Sequence, residues 1–323
     1  MIKWKCRRHY HLGSKGGKLL GYIEYEKINK SFYTIIENYI QQNELKELLL
    51  SFIDHQSRKG YPFGELLVLH YNIFNGTETE EIYLIAASIE LLILSFDVLD
   101  DFEDGDYRDK HWAQDPHLAL NSTTALLFIS ASVIRDSQFK NKDKGISTLL
   151  KYALQSIHGQ HRDLLKVCRN EAEYIEMTLQ KSGSLVALSC LIGSVLATGG
   201  YAGEVETYSR YIGLIGQINN DLADIQTWNE KNDLLNKRLS LPIIYLFNYM
   251  DAELEFIQDY YRNKIDIKEI LKYEELISKK FVETGAIAYT EVIKRIYQNK
   301  AKVELEKLYI ENDNIELLLK YID

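Results

Sequence analysis

Four aspartates follow an apolar run near residue 90, at a spacing that places them on one side of a helix. They are Asp97, Asp100, Asp101 and Asp104, at positions i, i+3, i+4 and i+7. Like charges at this spacing destabilise a helix, so a positive group must compensate them. Hard divalent cations with oxygen ligands suit such a cluster. The spacing therefore predicts a cation site at the solvent end of a mostly buried helix.

A second polar stripe with the same spacing follows later in the chain. Its members are Gln217, Asn220, Asp221 and Asp224, and isoleucine and leucine residues flank them. One such stripe alone is equally well explained as the solvated end of a helix. Two matched stripes on two apolar helices favour facing positions across a helix bundle, where inward side chains build a shared site.

The donors in both stripes are oxygen atoms, which favours magnesium over iron. A di-iron bundle would carry Glu-x-x-His pairs at inward positions, and neither stripe contains a histidine. Magnesium binds a few protein oxygens and completes its coordination with water and phosphate oxygens. We therefore predict Mg²⁺ as the cofactor and a phosphorylated ligand. The predicted metal ligands are Asp100, Asp101, Asp104, Asn220, Asp221 and Asp224.

A diphosphate held by metal ions also needs positively charged side chains. The predicted diphosphate-binding residues are Lys181, Gln217, Lys237 and Arg238. Apolar residues beside the polar segments are predicted to line a deep apolar cavity; examples are Leu91, Leu92, Leu185, Val186 and Leu188.

A diphosphate bound above an apolar cavity suits the ionisation of an allylic prenyl diphosphate. Cations stabilise the charge on the leaving diphosphate, and a dry pocket protects the allylic cation from water. The predicted catalytic residues are Asp100, Asp104, Lys181 and Asp221. The group that captures the cation then defines the product.

The elements that must position these residues are all predicted to be helices. Helical periodicity recurs over segments 25–53, 64–74, 79–104, 118–136, 145–169, 172–197, 203–227, 239–249, 252–262, 267–283, 286–309 and 315–321. No alternating run is long enough for a strand. The predicted fold is all-α, a single large bundle over residues 25–323, preceded by a basic leader over residues 1–24 that we expect to be flexible.

Composition limits the possible partners and compartment. The net charge of −9 argues against nucleic acid. The basic start lacks the apolar region of a secretory signal, and no apolar run reaches the roughly 18 residues of a membrane span, so no transmembrane segment is predicted. The 3 cysteines form no CxxC pair, which fits a reducing cytoplasm.

Five segments together resemble the trans-prenyl diphosphate synthases, also called the polyprenyl synthetase family. Residues 100–104 and 217–224 are similar to the two aspartate-rich motifs of that family, and the other matching segments are 159–164, 174–182 and 236–242. The resemblance runs from about residue 45 to 300. It implies an isoprenoid synthase fold, Mg²⁺-dependent prenyl transfer and a homodimer.

The departures from that family pattern concern its second substrate. Where the family has a Gly-Lys-Arg motif for isopentenyl diphosphate, this chain has residues 61–64, Tyr-Pro-Phe-Gly. One arginine, Arg108, stands where the family has two after the first motif, and Asn220 replaces an aspartate of the second motif. These departures argue against an enzyme that elongates a prenyl chain with isopentenyl diphosphate.

This pattern resembles the ComQ-like prenyltransferases within the family. That resemblance implies a short tryptophan-containing precursor peptide as acceptor, the maturation of a quorum-sensing pheromone, and geranyl or farnesyl diphosphate as donor. Two alternatives stay open: a terpene cyclase or short-chain prenyl diphosphate synthase of the same fold, and a catalytically silent partner subunit.

Overall fold

Helices form all the regular structure that the computed structural model describes, which covers residues 15–77, 79–108, 110–229, 232–249 and 252–323. The α-helices are α1 (Lys15–Tyr39), α2 (Asn43–Ser57), α3 (Pro62–Ile73), α4 (Glu81–Asp104), α5 (Pro116–Asp136), α6 (Lys142–Leu164), α7 (Glu171–Thr178), α8 (Ser184–Thr198), α9 (Gly203–Asp224), α10 (Leu241–Asn248), α11 (Glu255–Tyr261), α12 (Ile267–Leu271), α13 (Glu274–Glu283), α14 (Ala286–Glu306) and α15 (Asn312–Ile322). Short 3₁₀ turns span His111–Ala113 and Ala252–Leu254. The predicted all-α fold is confirmed.

Helix α8 lies at the centre of the bundle. It packs against α3, α6 and α9, while α4 packs against α1, α3 and α5. Nearly every side chain of α8 is buried, as expected for a helix that is apolar on all sides. Gly193 lets α8 and α3 approach closely, because a Cβ there would lie 2.3 Å from the carbonyl oxygen of Leu67.

Both polar stripes occupy the last turns of their helices. Helix α4 ends at Asp104 because Gly105 adopts a left-handed conformation with φ of 77°, which glycine tolerates without steric cost. Helix α9 ends at Asp224. The C-terminal end of a helix carries partial negative charge, so the carboxylates add to an already negative potential. Both helix ends therefore favour nearby cations.

The observed helices differ from the predicted segments in several places, of which two bear on long segments predicted as single helices. The segment predicted as one helix over 172–197 contains a π-helical turn, Leu179–Gly183, between α7 and α8. The segment predicted as one helix over 267–283 is divided into α12 and α13.

The predicted leader over residues 1–24 falls mainly on residues 1–14, which lie outside the described residues. Helix α1 begins at Lys15, within that segment. The domain boundary at residue 24 therefore stays a prediction.

Within the described residues, three helical stretches are long and apolar enough, by length and composition, to cross a membrane. They are Glu81–Asp104, Pro116–Asp136 and Glu171–Thr198. They qualify by mean hydropathy, which scattered polar residues barely lower, and not as uninterrupted apolar runs. The absence of a transmembrane segment stays a prediction. In the first and third stretches, 78 % and 89 % of the apolar window is buried inside the bundle. The second is 44 % buried, so it presents apolar side chains at the surface.

Candidate active site

The C-terminal ends of α4 and α9 face each other across one cleft. Nine carboxylates and four cations are among the side chains that line it. The lining residues are Lys59, Asp97, Asp100, Asp101, Asp104, Asp106, Lys110, Asp163, Tyr174, Met177, Thr178, Lys181, Ser182, Gln217, Asn220, Asp221, Asp224, Asp233, Arg238, Leu239 and Ser240. All predicted metal ligands lie in this set, and so do all the predicted diphosphate-binding residues except Lys237.

Lys181 is buried at the centre of the cleft between two carboxylates. Its Nζ atom lies 2.6 Å from Oδ2 of Asp163 and 3.4 Å from Oδ1 of Asp100. Burial lowers the pKa of Lys181, but the nearby carboxylates outweigh burial and raise it above the ordinary value. The ammonium group therefore stays charged. Asp163 holds it in the cleft.

Arg238 also lines the cleft, where it contacts two further carboxylates. Its Nη2 atom lies 2.8 Å from Oδ2 of Asp104 and 3.0 Å from Oδ2 of Asp106. Burial and the Asp100 carboxylate raise the pKa of Asp104 to about 6, although Arg238 opposes them. Arg238 therefore neutralises only part of the negative charge around Asp104.

Lys237 is not brought to the cleft. Its Nζ atom donates a hydrogen bond to Oδ1 of Asn263 at 2.6 Å and lies 4.2 Å from the ring centroid of Tyr260. Residue 237 has a positive φ of 53°, so the chain turns sharply between Lys237 and Arg238. Of the two adjacent cations, the structure presents Arg238 to the site.

Asp221 is the most deeply buried carboxylate of the second stripe. The hydroxyl of Tyr174 donates to its Oδ2 at 2.5 Å, and Nε2 of Gln217 donates to its Oδ1 at 2.9 Å. Burial raises the pKa of Asp221 to about 6, although these hydrogen bonds lower it. The hydrogen bonds fix the orientation of the carboxylate. Burial disfavours its charged form, so a nearby cation would stabilise it.

The first stripe divides between two sides of the cleft. Asp100 and Asp104 face Lys181 and Arg238, whereas Asp97 and Asp101 face α2 and the segment after α4. Asp97 accepts a hydrogen bond from Gln56 at 2.9 Å and lies 3.7 Å from Nζ of Lys59. Lys110 donates to both carboxylate oxygens of Asp101, at 2.9 and 3.1 Å.

The donor chemistry of the cleft fits Mg²⁺ better than a softer metal. Its acidic lining supplies only oxygen ligands, in excess over the cations, and Asp104 and Asp221 both have raised pKa values. Among the described residues, no three His, Cys, Asp or Glu side chains form a ready-made metal group. This arrangement suits a cation that binds few protein atoms and takes its other ligands from water and phosphate.

The described residues that were expected to line a deep apolar cavity below the site are packed in the core instead. Leu91, Leu92, Leu185, Val186 and Leu188, which were expected to line it, are all buried in the main core cluster. Met177, Leu239 and the ring of Tyr174 supply the apolar part of the cleft lining. Sequence periodicity identified these helices as buried but could not show whether their side chains pack together or enclose a space.

Among the charged cleft residues that were not predicted as site residues, three lie close in sequence to predicted ones. Asp106 and Lys110 follow the first stripe, and Asp233 lies in the turn before Arg238. Burial raises the pKa of Asp233 well above the ordinary value, with a further contribution from Asp221. Their closeness in sequence to the predicted cations and carboxylates was the available signal, but loop residues follow no periodic pattern.

Comparison with known proteins gives the family. The polyprenyl synthetase family matches residues 46–277. A tryptophan prenyltransferase ComQ from Bacillus subtilis subsp. natto is 37 % identical over 294 residues, which is 91 % of this chain and 90 % of that protein. A tryptophan prenyltransferase ComQ from Bacillus spizizenii is 33 % identical over 88 % of this chain and 99 % of that protein.

Solved structures of low sequence identity share the fold. A geranylgeranyl pyrophosphate synthetase from Pyrococcus horikoshii aligns with a TM-score of 0.77 at 21 % identity, over 95 % of this chain and 98 % of that one. A polyprenyl synthase from Caulobacter crescentus, complexed with calcium and isoprenyl diphosphate, aligns with a TM-score of 0.76 at 18 % identity, over 94 % of each chain. The chain belongs to the polyprenyl synthetase family.

Proposed function

We propose that this protein is a tryptophan prenyltransferase that moves an isoprenyl group from an allylic diphosphate to the indole of a precursor peptide. The observation that carries the proposal is the cleft, whose lining brings Asp100, Asp104 and Asp221 together with the cations Lys181 and Arg238. The similarity to two tryptophan prenyltransferases ComQ over about 90 % of the chain supports tryptophan as the acceptor. We propose, from the resemblance to ComQ-like prenyltransferases, that this peptide is the precursor of a quorum-sensing pheromone.

The ion pairs of the cleft exchange partners when the donor substrate binds. Lys181 and Arg238 now contact carboxylates at 2.6 to 3.4 Å, distances at which they also bind diphosphate oxygens. A diphosphate that takes these two cations leaves Asp100 and Asp104 with uncompensated charge. Asp100 and Asp104 would then hold divalent cations, which would supply positive charge beside the diphosphate.

We propose Mg²⁺ at Asp100, Asp104 and Asp221, with Asn220 and Asp224 beside them. When bound, Mg²⁺ stabilises the negative charge that develops on the departing diphosphate. Asp101 is proposed not to bind the metal ion directly, because Lys110 donates hydrogen bonds to both its carboxylate oxygens. Gln217 orients Asp221 through the hydrogen bond between them.

Lys181 and Arg238 stabilise the diphosphate as the bond between its oxygen and the allylic carbon breaks. The electron pair of that bond leaves with the diphosphate. Carbon 3 of the indole then attacks the allylic cation. The positive charge passes to the indole ring, and loss of the proton on the ring nitrogen restores neutrality. Met177, Leu239 and Tyr174 exclude water from the prenyl chain at the cleft.

The peptide is proposed to enter on the side of the cleft next to α2. Asp97 and Asp101 are held there by Lys59, Gln56 and Lys110, so part of their charge is already offset by protein groups. The diphosphate and its cations require the other side. The indole therefore reaches the allylic carbon from the side of Lys59.

A mixing experiment tests the function. Purified protein is incubated with Mg²⁺ and labelled geranyl or farnesyl diphosphate, with and without a tryptophan-containing candidate peptide. Label on the tryptophan supports the proposal. A solvent-extractable hydrocarbon formed without peptide would instead indicate a terpene cyclase, and unreacted donor with active controls would indicate a silent subunit.

We also propose that the enzyme is a homodimer joined through α5 and α6. These neighbouring helices expose a stripe of large apolar side chains that a monomer would leave in water. Phe128 is 73 % exposed and Leu154 is 55 % exposed. Further members are Leu118, Leu120, Leu150 and Ile157. A symmetric pairing of this face would cover the least buried of the three long apolar helices.

The cytoplasm is the proposed compartment. Cys168 and Cys190 are both buried and unpaired thiols, as expected in a reducing environment. Two of the three long apolar helices are largely buried in the bundle, so their hydropathy is explained by packing.

A further inference from the structure

The π-helical turn Leu179–Gly183, which carries Lys181, lies between α6 and α9. A Cβ atom on Gly159 of α6 would lie 2.2 Å from the backbone nitrogen of Lys181. A Cβ atom on Gly213 of α9 would lie 2.6 Å from Cα of Gly183. Both contacts are with backbone, which cannot turn aside as a flexible side chain can. Only glycine therefore fits at either position.

Two side-chain hydrogen bonds attach this turn to the same two helices. The hydroxyl of Ser156 on α6 donates to the carbonyl oxygen of Lys181 at 2.8 Å. The hydroxyl of Ser182 donates to Oε1 of Gln217 on α9 at 3.1 Å. A π-turn interrupts the regular α-helical hydrogen-bond ladder, so buried groups around it need partners from elsewhere. Ser156 supplies such a partner.

One face of α6 contacts both the backbone and the side chain of Lys181. Ser156, Gly159 and Asp163 stand at i, i+3 and i+7, the spacing of a single helix face. Ser156 and Gly159 contact the backbone of the turn, and Asp163 binds the ammonium group. The position of Nζ is therefore set at both ends of the lysine.

We propose that Ser156, Gly159 and Gly213 are positioning residues for Lys181. They hold the π-turn at the distance from α6 and α9 at which Nζ reaches the diphosphate. This inference rests on the proposed function, in which Lys181 binds the donor diphosphate. None of the three residues touches the substrate, and each acts through the backbone that carries Lys181.

Calorimetric binding of inorganic diphosphate in the presence of Mg²⁺ tests the role of Gly159. We expect Gly159→Ala to weaken binding at least tenfold. The matched control is Gly145→Ala on the same helix, where the new Cβ would meet side-chain atoms of Leu196 and Ile134, at 3.3 and 3.4 Å, and no backbone. We expect this control to bind like the wild type.

A double-mutant cycle separates positioning from general loss of structure. We expect Lys181→Gln to weaken diphosphate binding, and Gly159→Ala to cause no further loss in that background. Full additivity of the two losses would overturn the inference alone. Wild-type affinity in Lys181→Gln would overturn the role of Lys181 in the proposed function, and the inference with it.

Substitutions of Ser156 give a second test that does not depend on the folding of Gly159→Ala. We expect Ser156→Ala to weaken diphosphate binding several-fold and Ser156→Thr, which keeps the hydroxyl, to restore it. Ser147→Ala is the control, because Ser147 is an exposed serine of α6 that bonds only to its own helix. Wild-type binding by Ser156→Ala would contradict the proposal.

Discussion

At the scale of residues, identical side chains on one helix have different roles because their partners differ. Asp100 and Asp101 are adjacent, yet Asp100 faces Lys181 in the half of the cleft proposed to bind metal, and Asp101 is held by Lys110. The electrostatic surroundings of each carboxylate therefore decide whether it is available to a metal ion.

We expect Asp104→Asn to lower the rate of prenyl transfer by about 100-fold or more, because it removes a charged ligand from the leaving-group site. Asp101→Asn is expected to lower the rate by less than about tenfold, since Lys110 donates hydrogen bonds to both oxygens of that carboxylate. Steady-state rates at saturating Mg²⁺ measure both, with circular dichroism as the control for folding. Equal losses in the two variants would show that both aspartates bind metal.

The buried carboxyl group of Glu90 is expected to make the free energy of unfolding depend on pH. It is buried beneath the site and accepts a hydrogen bond from the backbone N–H of Gly64 at 2.7 Å. Burial raises its pKa from 4.5 to about 8. The folded protein therefore keeps a proton that the unfolded chain releases, so the free energy of unfolding falls as the pH rises from 4.5 to 8.

Between pH 6 and pH 9, this one group is expected to lower the free energy of unfolding by ~2 to 3 kcal/mol, at ~1.4 kcal/mol per pKa unit. Glu90→Gln keeps a hydrogen-bond acceptor that cannot ionise, so its stability should fall less over that interval. The pKa of Glu65 is also raised, to about 7, and its contribution remains in the variant. Urea denaturation at both pH values makes the measurement, and parallel curves would contradict the assignment.

At the scale of elements, glycines set how closely the helices approach. Gly193 allows α8 to contact the backbone of α3, and Gly159 and Gly213 allow α6 and α9 to contact the π-turn. Alanine is normally the better helix former by about 1 kcal/mol. Glycine at these positions therefore indicates that close packing outweighs helix propensity.

We expect Gly193→Ala to lower the free energy of unfolding by about 1 to 3 kcal/mol, because the new methyl group would lie 2.3 Å from the Leu67 carbonyl oxygen. Gly203→Ala is the matched control, since nothing lies within 4 Å of its Cβ position. It should be neutral or slightly stabilising. Chemical denaturation compares the two, and equal stabilities would show that α3 and α8 can separate freely.

At the scale of the whole molecule, the bundle buries its most apolar helices but leaves one apolar face on α5 and α6. We expect Leu154→Asp to convert a dimer to monomers, because it would bury a charge in the proposed interface. Val282→Asp, at an exposed apolar residue of α13, should leave the dimer intact. Sedimentation velocity measures both. A monomeric wild-type protein would refute this interface.

The sequence was sufficient for those features that depend on local spacing. Helical periodicity predicted the all-α fold, and two stripes at i, i+3, i+4 and i+7 placed the carboxylates at the ends of α4 and α9. Such patterns are short-range, because a helix face is fixed by residues within two turns. Lys181 and Arg238 were likewise identified because they lie within segments 174–182 and 236–242, which resemble the family.

Only the tertiary structure decided which of these residues meet. It separated Asp97 and Asp101 from Asp100 and Asp104, because their partners come from different segments of the chain. It selected Arg238 over Lys237 through the conformation of one turn, and it packed together the apolar residues that were expected to line a cavity. Contacts between distant segments depend on how whole helices pack, and no local pattern encodes that packing.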